Sequence, residues 1–227
     1  MEKIDILSLS PETLGQYLAE MGEPKFRAKQ LFSWLHQKQV TDFAQMTTLS
    51  LQLRQKLNEK FCINRLNIAR KLASSADDTV KYLYELPDGN FVETVLMDYH
   101  HGKSLCISTQ VGCRMGCQFC ASTIAGYVRD LQPSELLLQI YETQRDAGCR
   151  IDSIVLMGIG EPLDNFDNVV QFFRLLSHPD GMNMSLRHAA LSTCGLVPQI
   201  RQLADLRLGV TLSVSLHSPE NQRRSEI

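Results

Sequence analysis

From residue 103 onward the sequence alternates short branched apolar runs with amphipathic helical patterns, and this restricts the chain to a small set of folds. "SLCISTQ" (104–110) reads as a strand, and "PSELLLQIYETQRDAG" (133–148) as a helix closed by Gly148. "DSIVLMGIGEP" (152–162) is a buried strand entering a glycine turn, and "NVVQFFRLLS" (168–177) the helix after it. "HAALSTCG" (188–195), "VPQIRQLADL" (197–206) and "GVTLSVSLHSP" (209–219) continue as strand, helix, strand. Strands spaced by helices of this length predict an α/β fold: a parallel sheet with right-handed crossovers. Such sheets place their sites at the carboxyl ends of the strands, where the glycine turns lie here.

Upstream the texture differs. Ser10 before Pro11 and Glu12 is a helix start, with a cap, a proline in the first turn and an acid near the dipole. A second helix opens near Pro24, with Phe26, Leu31, Phe32 and Leu35 at helical spacing and Arg27, Lys29, Gln30 and Lys38 largely off that stripe. A third follows Ser50. Phe26, Phe32 and Trp34 fit core packing better than base stacking. "TVKYLYEL" and "NFVETVLM" joined by "PDGN" predict a hairpin. The expected organisation is a helical domain over 1–62, a hairpin connector over 63–100 and an α/β core over 101–227.

The net charge of −2 makes no general case for nucleic acid, but residues 54–71 carry Arg54, Lys56, Lys60, Arg65, Arg70 and Lys71 against Glu59 alone. On charge alone this is equally a solvated helix face. No apolar run is long enough to span a bilayer and the start has no secretory pattern, so a cytoplasmic protein is expected. In that compartment clustered cysteines bind metal or do chemistry more often than they form disulfides, and an odd count of seven argues the same way.

Four of the seven fall within residues 106–120. Cys113, Cys117 and Cys120 stand in "CRMGCQFC", and Cys106 lies seven residues earlier. A short loop converges soft thiolates on a metal at little ordering cost. Structural zinc needs a fourth ligand, for which Cys106, His100 or His101 is available. An iron–sulfur cube held by three thiolates instead leaves one iron open.

These residues carry a resemblance. The spacing of Cys113, Cys117 and Cys120 ahead of a parallel strand–helix array resembles the radical S-adenosylmethionine (SAM) enzymes. "GCRMGCQFCAST", "VRDLQPSEL", "MGIGEPLDN", "LSTCG" and "SLHSP", with "GEPKFRAKQLFSWL" and "VETV" upstream, are similar in order and spacing to the RlmN/Cfr family of radical SAM RNA methyltransferases. The resemblance covers essentially the whole chain. It implies a partial (β/α) barrel, about four of six units being present here, behind the helical domain and hairpin. It implies a [4Fe-4S] cluster on Cys113, Cys117 and Cys120, with SAM on its open iron. Gly160, Glu161, Ser192, Ser215, Leu216 and His217 match SAM-contacting positions; standing alone, His217 reads as a structural histidine, whereas "GIGEP" reads as a glycine turn that lets backbone approach a ligand more readily than as a plain turn.

The family's chemistry also gives Cys106 a role. Electron transfer cleaves SAM to a 5′-deoxyadenosyl radical, which abstracts hydrogen from a methyl group carried by a cysteine of the enzyme. The resulting carbon radical adds to adenine. Cys106 matches the cysteine that assists proton removal and forms a disulfide to free the product, and Glu93 matches a proton acceptor, although alone it is simply an acid in a strand. The family methylates carbon 2 of adenosine in 23S ribosomal RNA and, for some members, tRNA; the Cfr branch acts on carbon 8. "CASTIAGYVRDL" and "MGIGEPLDN" favour the RlmN-like branch. RNA contact by the helices and the 54–71 stretch, a flavodoxin-type electron donor and a monomer are implied. The family's methyl-carrying cysteine lies nearer the C-terminus than this sequence reaches, and neither Cys149 nor Cys194 matches it. The expectation is that this chain does not complete methyl transfer alone. The other readings are a radical SAM protein with another substrate and a zinc-stabilised RNA-binding module.

Overall fold

The structure is a computed structural model that describes residues 3–100 and 102–227. His101, one of the alternative zinc ligands, lies outside them. The chain begins with β1 (Ile4–Asp5) and three helices: α1 (Pro11–Glu20), α2 (Phe26–His36) and α3 (Leu51–Lys60). Ser10 and Ser50 cap α1 and α3, accepting the N–H groups of Thr13 and Leu53 at 3.2 Å each. β2 (Phe61–Cys62) pairs in parallel with β1 and ties the ends of this domain together.

Seven strands follow in one mixed sheet. β3 (Asn67–Ala73), β4 (Val80–Glu85), β5 (Phe91–Tyr99) and β6 (Gly102–Cys106) are antiparallel neighbours. β7 (Gln110–Val111) and β8 (Arg129–Asp130) form a separate ribbon, followed by α4 (Pro133–Ala147). β9 (Ser153–Leu156), α5 (Phe166–Ser177), β10 (Ala189–Thr193), α6 (Val197–Leu206), β11 (Thr211–Val214) and α7 (Asn221–Glu226) complete the chain. The sheet order is β11-β10-β9-β6-β5-β4-β3, with β6, β9, β10 and β11 parallel. These are the four strands that the strand–helix alternation predicts.

Two features depart from the expected organisation. β3 was not foreseen, and it makes the hairpin a three-stranded meander. β5 pairs with β6 over five residue pairs, so the meander and the core strands share one sheet across residue 100. The boundary between helical domain and core is also closely packed. His36 of α2 meets the Tyr141 hydroxyl of α4 at 3.0 Å, and Ser134 of α4 donates to Asp5.

One sheet face buries Tyr82, Tyr84, Thr94, Leu105 and Ile154. α4 supplies partners there: Tyr84 meets Thr143 at 2.8 Å, and Thr94 donates to Gln139 at 2.8 Å. The 54–71 stretch is not one helix face, since it runs from α3 through β2 into β3. Five of its six cations are engaged within the molecule. Arg54 and Lys56 donate to the carbonyls of Ala44 and Met21. Lys60, Arg65 and Lys71 pair with Glu20, Glu142 and Asp146. Among the described residues no helix is long and apolar enough to cross a membrane.

Candidate active site

Past Cys106 the backbone stays bonded to the β9 side, with the Ile107 N–H donating to the Val155 carbonyl at 3.0 Å, and the buried amide of Gln139 pairs with the backbone of Ser108. Its oxygen accepts the Ser108 N–H at 2.9 Å and its nitrogen donates to the Ser108 carbonyl at 3.0 Å. The β7–β8 ribbon then pinches the ends of loop 112–128. Val128 donates to Val111 at 2.9 Å. Gly112 (φ +73°) lies so close to the Gly126 carbonyl that a Cβ would sit 1.7 Å from it, so the closure admits no side chain. This loop carries Cys113, Cys117 and Cys120.

The second wall is the turn after β9. Gly160 (φ +106°) packs where a Cβ would be 2.6 Å from that of Gln110. Gln110 is fully buried and joins three segments. Its Oε1 accepts the Glu161 N–H at 2.8 Å, and its Nε2 donates to Asp130 and Asp164, each at 2.8 Å. Asp164 also pairs with Arg114 of the cysteine loop at 2.8 Å, and that guanidinium lies 3.7 Å from the centre of the Tyr127 ring. The cysteine loop is thus fastened to the glycine turn by side chains at both ends.

The third wall is formed by the tips of β10 and β11. Ser192 and Ser215 place their hydroxyls 3.2 Å apart. The ring of His217 (φ +59°) lies 4.6 Å from that of Phe119. Glu161 is nearly buried, and its two oxygens accept the N–H groups of Leu163 at 3.0 Å and Cys194 at 2.8 Å.

These walls enclose a cavity of about 300 Å³ at the carboxyl ends of β9, β10 and β11. Of the residues singled out in the sequence, Cys113, Cys117, Cys120, Gly160, Glu161, Ser192, Ser215 and His217 line it. Leu216 does not; its side chain is exposed. Cys106 and Glu93 stand beside the cavity on the same sheet face. Register puts Cys106 opposite Val95 on one side and Val155 on the other, and Glu93 two residues from Val95, so alternation aims Glu93, Val95, Cys106 and Val155 alike. Val155 is opposite Ala190, two residues before Ser192, which carries the same face to the cavity. The Glu93 carboxylate is paired with Lys81 at 2.7 Å. Burial raises the thiols of Cys106 and Cys113. That of Cys194 is pushed up to about 12, by burial first and then by the charge of Glu161. Among the described residues no disulfide joins any two cysteines, Cys106 included.

Gln110, Gln139, Asp164 and Arg114 were not singled out in the sequence, because single glutamines and scattered charges carry no local pattern. Met157 and Phe119 also line the cavity and carried no signal beyond apolarity.

Residues 107–227 match the Radical SAM superfamily, and the chain belongs to that superfamily. Residues 4–63 match the Ribosomal RNA large subunit methyltransferase N-terminal domain. The chain is 52% identical over 226 residues to a probable dual-specificity RNA methyltransferase RlmN of Lachnoclostridium phytofermentans, covering 100% of this chain and 64% of the relative. It is also 52% identical over 220 residues to the protein of the same description in Lachnospira eligens, covering 97% and 63%. A crystal structure of a radical SAM methyltransferase from Sphaerobacter thermophilus superposes with a TM-score of 0.91 at 36% identity, covering 98% of this chain and 66% of that one. The chain spans just under two thirds of the length of these curated relatives.

Membership of the superfamily implies a [4Fe-4S] cluster and SAM. The donor set fits. Three thiols from one loop face the cavity, while among the described residues no three histidine, cysteine or carboxylate side chains converge on a point suited to a single ion. A cube binds each thiolate through a different iron, so its ligands surround a cage rather than meet at a point.

Proposed function

We propose that this chain carries the cluster- and SAM-binding core of an adenosine methyltransferase acting on carbon 2 in 23S ribosomal RNA and in tRNA. The observation that supports it is the single cavity uniting Cys113, Cys117 and Cys120 with Gly160, Glu161, Ser192 and Ser215, next to a sheet face bearing Cys106 and Glu93. The three thiolates hold the cluster, which when bound supplies the electron that cleaves SAM. Each of the Glu161 oxygens already takes one backbone N–H and keeps further lone pairs for the ammonium of SAM. The Ser192–Ser215 pair offers hydroxyls to the nucleoside end, and His217, held against Phe119, closes that side. Cys106, half-buried on that face, assists removal of the adenine proton, and the Glu93 carboxylate, paired with Lys81, accepts it. The electron donor is of flavodoxin type, and the protein acts as a cytoplasmic monomer.

Nucleoside analysis tests this reading. The anaerobically reconstituted chain should release 5′-deoxyadenosine from SAM under a chemical reductant. A chimaera completed with the remaining third of the Lachnoclostridium relative should form 2-methyladenosine in ribosomal RNA. A product methylated at carbon 8 would move the protein to the other branch. SAM cleavage with no RNA product in the chimaera would remove RNA as the substrate.

A further inference from the structure

The outer face of α2 carries a second concave surface, far from the thiols in sequence and lined by different chemistry. Phe26, Lys29, Gln30, Ser33, Trp34, Lys38 and Thr48 enclose about 450 Å³ there. The opposite stripe of α2, Ala28, Leu31, Phe32, Leu35 and His36, is buried, so this face is the side the fold leaves to solvent. Phe26 is 57% exposed, unusual for a large aromatic in a folded domain. Trp34 is held by its indole N–H, which donates to Thr48 at 2.8 Å, and Lys38 sits 3.4 Å from the centre of its ring. Arg27 donates to Gln30 at 2.7 Å while its guanidinium lies 5.1 Å from the centre of the Phe26 ring.

Charge is one-sided. Residues 24–41 hold Lys25, Arg27, Lys29 and Lys38 and no acid. Among the described residues Lys29 pairs with Asp180 at 2.9 Å, and Glu12 lies on the far side of Lys25 and Lys29 from the groove. The 54–71 cations, by contrast, are mostly engaged inside the molecule, so this face is the better basic surface of the helical domain. An open aromatic ring, a second ring fixed in place, an amide and two hydroxyls for base edges, and an excess of cations together match the chemistry that receives an unstacked nucleotide.

We propose that the α2 groove docks one unpaired nucleotide of the RNA substrate, at a distance from the adenosine being modified. The base stacks on Phe26, its edge meets Gln30, Ser33 and Thr48, and the adjoining phosphates meet Lys38 and Lys29. This rests on the reading of RNA as the substrate and adds to it a contact that fixes the substrate outside the SAM cavity.

Trp34 is the only tryptophan of the chain, which makes the groove its own reporter. The full chain is titrated with an end-labelled unstructured RNA of about eight nucleotides, following tryptophan emission and label anisotropy together. Both should change saturably with the same midpoint. Phe26→Leu, which keeps apolar bulk and loses the ring, and Lys38→Ala should each weaken binding about 10-fold. Lys38→Ala should also lower the salt dependence by about one released counterion. Far-UV circular dichroism checks that both variants fold. Anisotropy that reports binding while emission stays constant and both variants bind like the parent overturns the groove and leaves RNA as substrate. No binding by either signal overturns both. A tryptophan response to polyglutamate with none to RNA makes the groove a site for acidic protein and overturns the proposal.

Discussion

The Glu161 carboxylate accepts the backbone N–H of Cys194 at 2.8 Å, and its other oxygen accepts that of Leu163 at 3.0 Å. One side chain therefore fixes the turn after β9 and the tip of β10 together, and does so at the floor of the cavity. Glu161→Gln keeps the shape but leaves only one acceptor oxygen for two buried donors. It should lower stability by about 1–3 kcal/mol in urea titration. SAM affinity, read by calorimetry, should fall further than this loss explains, because the charge facing the ammonium is gone.

Gly160 is the tightest glycine of the turn. Alanine there combines a φ of +106° with a methyl group 2.6 Å from the Gln110 Cβ and 2.8 Å from its backbone nitrogen. Gly160→Ala should cost about 2–4 kcal/mol in chemical denaturation. Gly116 also has a positive φ, +75°, but open space around it. Gly116→Ala should cost markedly less.

Replacing any one of Cys113, Cys117 and Cys120 by serine should abolish iron and sulfide retention after anaerobic reconstitution while leaving the far-UV circular dichroism unchanged. The three line an open cavity and none belongs to the buried core. Cys106→Ser should retain iron, since Cys106 lies outside the cavity lining. Equal iron loss in all four variants would contradict this division.

His36 predicts a pH dependence. It is fully buried, with Nδ1 on Tyr141 and its ring against Phe32, and burial lowers its pKa from 6.5 to about 3. Below 6.5 the unfolded chain takes a proton that the folded one refuses until about pH 3. Stability is therefore full above pH 6.5 and falls through that window as the solution is acidified. The loss due to this residue should be about 2 kcal/mol between pH 7 and pH 5. His36→Phe should remove that slope, whatever it does to stability at pH 7, and urea midpoints across the range would show it.

Periodicity made the parallel half of the fold legible, because β6, β9, β10 and β11 are each separated by a long amphipathic or cysteine-bearing segment. β3 was hidden: "NIARKLA" is exposed throughout, so no apolar alternation marks it, and only its pairing with β4 makes it a strand. The cysteine loop, "GIGEP" and the two serines were readable because their spacing and order carry the family's pattern. Gln110 and Gln139 were not, since their function is to replace backbone hydrogen bonds between segments distant in sequence. Phe32 packs in the core as read, whereas Phe26 points to solvent. Helical spacing groups residues on a stripe but does not say which edge of that stripe the next layer covers.

Electron paramagnetic resonance of the reduced, anaerobically reconstituted chain, recorded before and after adding SAM, bears most directly on the cavity. Three cysteine ligands leave an iron that SAM can reach, so the cluster signal should shift on SAM addition, and SAM labelled with nitrogen-15 at its amino group should show hyperfine coupling to it. An iron signal indifferent to SAM, or a colourless protein holding zinc on four of its own side chains, would contradict the account.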